Sequence, residues 1–208
     1  MDIQFHGANC ITLASKNARV VIDDNLADLG GKTTTKTGDI SLYTMAHGNT
    51  KQEPKIIIDQ PGEYEVSGVS IYAISARAHV DEQGKQTATM YKLVAEDLRI
   101  LVTGHIYPEL SDKQLEKIGM IDVMFVPVGG NGYTLDAVGA LKLVKKVEPK
   151  LVIPTHFEDD TLNFPVPQQP LADALKALAM EPKEVAGKLK LKPADLGDVM
   201  QLVVLEKV

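Results

Sequence analysis

Five histidines occur in the 208 residues. Four of them stand where apolar, strand-like runs end. They are His47 in Met45-Ala46-His47-Gly48-Asn49, His79 in Ala76-Arg77-Ala78-His79, His105 in Val102-Thr103-Gly104-His105, and His156 in Ile153-Pro154-Thr155-His156. Imidazole is the commonest protein ligand for a divalent metal and titrates near neutral pH. Sparse histidines at strand ends suggest ligands converging on one rim of a sheet. Three imidazoles plus water make an open catalytic arrangement for zinc; four without water would be structural. His6 ends the first strand and is read as lining the pocket rather than binding metal.

The elements that must position these side chains follow from the apolar pattern. Strand signals dominate the first half: Ile3 to Phe5, Cys10 to Leu13 and the β-branched run Arg19 to Ile22, which ends in Asp23-Asp24. Glycines and threonines from Gly30 to Gly38 form a loop. Asp39 to Thr44 is a strand leading to His47. Lys55 to Asp59 precedes the turn Pro61-Gly62-Glu63-Tyr64, and Val69 to Ala76 alternates well. Asp81 to Lys85 is an exposed hairpin tip between that strand and Thr87 to Val94. Leu98 to Thr103 follows.

The second half reads as βα alternation. Ser111 is an N-cap for a short helix to Ile118. Asp122 to Val128 is a buried strand. Gly129-Gly130-Asn131-Gly132 lacks the lysine of a phosphate loop and shapes the pocket rim near Tyr133. Thr134 to Lys146 has helical spacing, Lys150 to Pro154 is a strand, Leu171 to Met180 a helix, and Asp198 to Glu206 a closing strand. Pro165, Pro167 and Pro170 form a connector, with no domain break. The pattern predicts one domain over residues 1–208, an α/β (α+β) layered fold of two sheets covered by helices.

Composition narrows the function. The net charge is -6, and the charged fraction 24%; no basic stripe recommends a nucleic-acid or anionic-membrane partner. Cys10 is the single cysteine, which fits a reducing cytosol. No apolar run approaches the ~20 residues of a membrane span, and the first residues do not read as a signal peptide. The expected partner is a small molecule, with homodimerisation through a sheet edge open.

Several phrases, in this order and spacing, resemble the metallo-β-lactamase superfamily, in the group of L-ascorbate-6-phosphate lactonase and related metal-dependent hydrolases. They are Val20-Val21-Ile22-Asp23-Asp24, Pro61-Gly62-Glu63-Tyr64-Glu65-Val66 with Gly68-Val69, Val126-Pro127-Val128-Gly129-Gly130, and Pro149 to Phe157. The resemblance runs from Ile3 to Phe157 and implies a four-layer αββα sandwich. It also implies a metal site from His-x-His-x-Asp-His, a later His, an Asp after Gly, and a last His. Here Met45, His47, Asn49 and Thr50 stand at the first motif, so three of its four ligands are missing. His79 matches the later His, His105 replaces the Asp, and His156 matches the last.

This predicts a depleted centre: one Zn²⁺ or Mn²⁺ held by His47, His79 and His105, with His156 as fourth ligand or proton carrier, in a hydrolase of a small lactone or phosphorylated ester. His105 and His156 are the candidate catalytic residues. The competing expectation is a non-catalytic member that binds a ligand or protein. Asp23 and Asp24 are read as structural acids that end a strand, where the resemblance implies an acid that orients the metal-binding loop; Glu63 and Glu65 are read as a turn and sheet face, and Cys10 as core.

Overall fold

Alternation and β-branching build fourteen strands in the computed structural model, which describes residues 1–46 and 52–208. They are β1 (Asp2–Gly7), β2 (Cys10–Ala14), β3 (Arg19–Ile22), β4 (Ile40–Leu42), β5 (Ile56–Ile58), β6 (Gly62–Val66), β7 (Val69–Ala76), β8 (Ala88–Ala95), β9 (Leu98–Val102), β10 (Val123–Pro127), β11 (Leu151–Thr155), β12 (Glu184–Ala186), β13 (Leu189–Lys190) and β14 (Gln201–Leu205). The helices are α1 (Asp112–Ile118), α2 (Ala137–Val147) and α3 (Leu171–Leu178). Among the described residues the strands form a six-stranded sheet, β13-β1-β2-β3-β4-β5, and an eight-stranded sheet, β12-β14-β11-β10-β9-β8-β7-β6.

The sheets face each other across one core. Ile3, Phe5, Ile11, Ile22 and Leu42 meet Ile71, Tyr91, Leu93, Ile100, Phe125 and Ile153. Each such side chain contributes about 1.5–3 kcal/mol by burial. The far face of the eight-stranded sheet packs Met90, Leu101, Met124 and Val152 against Ile118, Leu143, Val144 and Leu178 of the helices. On the far face of the six-stranded sheet, Cys10 and Val21 pack with Leu26 and Leu162. That outer layer is a 3-10 turn at Leu26–Leu29 together with the chain near Leu162. The sandwich is the layered α/β fold expected, with helices concentrated on one side.

Parallel pairing matters most for the site. β9, β10 and β11 run parallel in one sheet, and β3, β4 and β5 in the other. Every residue of β10 and β11 is buried, as strands covered on both faces require. Ligands of such sheets gather beyond the carboxyl ends of the strands. Those ends deliver Asp23, Thr44, His105, Gly129 and His156.

Several boundaries differ from the sequence expectation, each for a local reason. α2 begins at Ala137, not Thr134, because Asp136 caps it by accepting from the Gly139 N–H at 2.7 Å. β4 ends at Leu42, since the Thr44 N–H turns away to the Asp23 carboxylate. α3 stops at Leu178, where Ala179 adopts φ 52. β6 occupies the stretch read as a turn, and β12 and β13 lacked a long apolar run to mark them. Ser111 does cap α1, in a reciprocal box with Gln114. Among the described residues no helix is long and apolar enough to cross a membrane.

Candidate active site

A tight turn after β1, with Gly7 at φ 105 and Ala8 at φ 48, brings Asn9 into the interior. The His156 N–H donates to the Ala8 carbonyl at 2.7 Å, tying this turn to the end of β11. His156 itself holds φ 52, and Asp23 φ 51. Such conformations cost of order 1–3 kcal/mol and cluster at functional sites. Ala8, Asp23 and His156 line one cavity of about 180 Å³, with Asn9, Asn25, Asp28, Leu29, Ala46, His105, Tyr133, Phe164 and Pro165. A larger groove, about 630 Å³, lies along Ser15, Lys16, Glu96 and Lys192 and contains no histidine; the chemistry belongs to the smaller cavity.

His105 and His156 meet there edge to face, ring centroids 4.9 Å apart. Tyr133 stands 5.2 Å from the His105 ring and Phe164 5.1 Å from that of His156. His156 Nδ1 lies 3.0 Å from Gln168 Oε1, and Gln168 Nε2 donates to the Val166 carbonyl at 2.8 Å. That second bond fixes the amide, so Oε1 must accept and His156 Nδ1 must carry the proton. The lone pair of its neutral ring is therefore on Nε2. Burial pushes the His156 pKa down to about 4, against the opposing pull of Gln168.

His105 is held well below its ordinary range, by burial first and then by His156 and His79. Its Nδ1 lies 3.2 Å from Asn9 Nδ2, and its buried Nε2 has no partner among the described residues. His79 follows β7, and its backbone N–H donates to the His105 carbonyl at 2.7 Å. Its ring packs 5.8 Å from Tyr107, itself covered by the Arg77 guanidinium at 3.9 Å. Burial lowers the His79 pKa while Asp136 opposes it, and its Nδ1 also has no partner among the described residues.

The structure thus brings His105 and His156 into the cavity and sets His79 behind His105. His47, Asn49 and Thr50 lie outside the described residues. Met45 packs against the core beneath the helices. His6 corrects its expectation: it is absent from the cavity lining and instead pairs through Nε2 with Thr12 Oγ1 at 3.0 Å. Asn9, Gln168, Phe164 and Asp28 were not singled out by sequence. The Phe5-His6-Gly7-Ala8-Asn9 turn was the one available signal for Asn9; Gln168 sat unmarked in the proline connector.

The two acids diverge. Asp24 gathers the 30–38 loop, accepting from the Thr33 hydroxyl (2.5 Å), the Thr34 and Thr35 N–H groups (2.9 and 2.7 Å) and the Thr35 hydroxyl (2.6 Å). Asp23 accepts from the Thr44 N–H at 2.7 Å and hydroxyl at 2.6 Å. It thereby fixes the backbone just before residues 47–51. Glu65 accepts from Ser70 on the sheet edge at 2.6 Å, and neither it nor Glu63 lines the cavity. Cys10 is fully buried, and burial raises its thiol pKa; it is core, as expected.

Asp23 gives a pH prediction. Burial raises its pKa from 3.8 to about 6, despite the Thr44 bonds. Its protonated form is favoured on folding, so its contribution is complete below 3.8 and is lost as pH rises through about 6. His156, lowered from 6.5 to about 4, works oppositely: its contribution is present above 6.5 and lost as pH falls through 4. Each shift corresponds to roughly 3 kcal/mol, so the two oppose each other between pH 4 and 6. Asn tolerates positive φ and keeps an acceptor for Thr44. Asp23→Asn should therefore stabilise the protein at pH 7.5, by as much as about 3 kcal/mol, and change little below pH 4. Its stability should also fall more steeply with acid than that of the wild type. Urea unfolding across pH 4–8 checks this; equal curves would refute the buried, raised carboxyl.

Comparison with known proteins agrees with this architecture. The family model described as a beta-lactamase superfamily domain matches residues 2–156. A UPF0173 metal-dependent hydrolase of Enterococcus faecalis is 29% identical over 127 residues, 61% of this chain and 48% of that protein. Another, from Thermococcus onnurineus, is 29% identical over 125 residues, 57% and 54%. The chain spans about half the length of these curated relatives. A solved metallo-β-lactamase superfamily protein of Thermotoga maritima superposes with TM-score 0.80 at 25% identity, covering 99% of both chains. With the family match running from the first strand to the His156 corner, the chain belongs to the β-lactamase superfamily, in its metallo-β-lactamase branch.

Proposed function

We propose that this protein is a hydrolase of a small lactone or ester. The observation supporting it most is the buried pair His105 and His156, with the Nδ1 of each ring in hydrogen-bond contact with a side-chain amide, at the carboxyl ends of parallel strands. The names of the curated relatives supply the reaction class. His156 Nε2 offers a lone pair to the proton of an attacking water. Tyr133 and Phe164 supply apolar walls. No lysine or arginine among the described residues lines the cavity, which favours a neutral lactone or carboxylic ester over a phosphorylated one.

The family implies a metal cofactor. The described donors do not by themselves fit one: no three His, Cys, Asp or Glu side chains among the described residues gather closely enough to hold an ion. The Zn²⁺ or Mn²⁺ site of His47, His79, His105 and His156 stays a proposal whose first member lies outside those residues. A second reading, ligand binding without turnover, draws on the same incomplete donor set.

The test is hydrolysis of a panel of neutral lactones, aryl esters and phosphorylated esters. The purified protein is assayed as isolated and after adding Zn²⁺ or Mn²⁺, with metal content measured alongside. Turnover of neutral substrates is the expected result. No turnover under any condition would sink the hydrolase and leave the binding reading.

A further inference from the structure

Asn9 touches both halves of the site. It is buried (4% exposed), its Nδ2 meets His105 Nδ1 at 3.2 Å, and its Oδ1 accepts from the Thr155 hydroxyl at 2.8 Å. Thr155 is itself buried, and Asn9 is the one side-chain partner of that hydroxyl among the described residues. Turning the Asn9 amide round would make the Thr155 oxygen the acceptor and strand its hydrogen in a buried place. A buried polar group without a partner costs about 1–3 kcal/mol. With the hydroxyl donating, Asn9 Nδ2 must donate to His105 Nδ1. Nδ1 then needs its lone pair, and the proton of the neutral ring moves to Nε2. That nitrogen has no partner among the described residues.

We propose that Asn9 is a positioning residue that holds His105 as the Nε2–H tautomer, so that the site presents a hydrogen-bond donor on His105 beside an acceptor on His156. The two imidazoles are therefore complementary. His156, fixed by Gln168, takes a proton; His105, fixed by Asn9, gives a hydrogen bond. Used together they suit a carbonyl group and the water that attacks it: the His105 Nε2–H meets the carbonyl oxygen, where negative charge grows during attack. A metal ligand needs the reverse arrangement at His105, a lone pair on Nε2 with Nδ1–H donated to an acceptor, so in this tautomer His105 drops out of the metal set proposed above. The use of the pair rests on the hydrolase reading, whereas the tautomer does not.

Long-range ¹H–¹⁵N spectra of the full chain with ¹⁵N-labelled histidine, recorded near pH 7 without substrate, test it. The wild type should show His105 protonated on Nε2 and His156 protonated on Nδ1. Asn9→Asp puts a carboxylate, which only accepts, against Nδ1, and should switch His105 to the Nδ1–H form while His156 stays unchanged. Thr155→Val and Asn9→Ala should each leave His105 as a mixture. His105 found with its proton on Nδ1 in the wild type, or left purely Nε2–H by Asn9→Ala, would overturn the proposal. The unchanged His156 signals and the melting temperature report that the variants fold. Because no substrate is present, a protein that hydrolyses nothing can still pass this test, so the two proposals fail separately.

Discussion

Replacing His156 by Ala is expected to lower hydrolysis of any lactone or ester that the wild type turns over by about 100-fold or more, at the lower end of what a positioned base contributes. The low figure follows from the low pKa, about 4: the imidazole is unprotonated at neutral pH but is a weak base. For the same reason the wild-type rate should be flat from about pH 6 to 8 and fall only as pH approaches about 4. Gln168→Leu keeps the imidazole but removes the acceptor that fixes its proton on Nδ1. About a 10-fold loss is expected there, with the stability nearer the wild type than in His156→Ala. Steady-state rates of the three proteins over pH 4–8 make the comparison. An unaffected rate in His156→Ala would remove His156 from the chemistry.

The largest effect on stability is expected from Gly129→Ala, in the corner between β10 and α2. A Cβ at residue 129 would lie 2.0 Å from Gln168 Oε1 and 2.2 Å from the backbone carbonyl of His156. The Gln168 side chain could rotate away, at the cost of its bond to His156, but the carbonyl cannot yield without moving the strand end that carries His156. Overpacking of this kind costs typically 1–3 kcal/mol and occasionally more; the backbone contact places this case at about 3 kcal/mol or above. For a chain of this size that is a fall in Tm of about 6–12 °C. Gly132→Ala is the control. It has positive φ (74) but nothing within 4 Å of its Cβ, so only the backbone cost of about 1–2 kcal/mol applies. Calorimetric melting of the two variants decides it; equal losses would mean that the close approach at Gly129 is absent.

Much of the frame was legible in the residues. The buried run Asp122 to Val128, the hairpin tip Asp81 to Lys85 and the capped helix at Ser111 all lie where their patterns put them, because alternation, apolar runs and caps are local signals. The corners were less legible. The apolar pattern places Thr44 in a strand, because nothing near it in sequence shows that Asp23, 21 residues earlier, takes its N–H. Helical spacing places Thr134 in a helix, although Asp136 caps that helix two residues later.

The histidines divide the same way. Their strand-end positions were evident from sequence, and His156 and His105 do share the cavity. His6 had a similar position but faces Thr12 instead, since strand alternation sends neighbouring side chains to opposite faces of the sheet. What the chain by itself determined was the set of strands and the residue types standing at their carboxyl ends. Only the tertiary structure decided which of those residues meet, and which ring nitrogen each presents. Those choices rest on single hydrogen bonds from Gln168 and Asn9, 12 and 96 residues from their histidines. A burial pattern records which way a side chain faces; it carries no information about a partner brought close by the packing of two sheets.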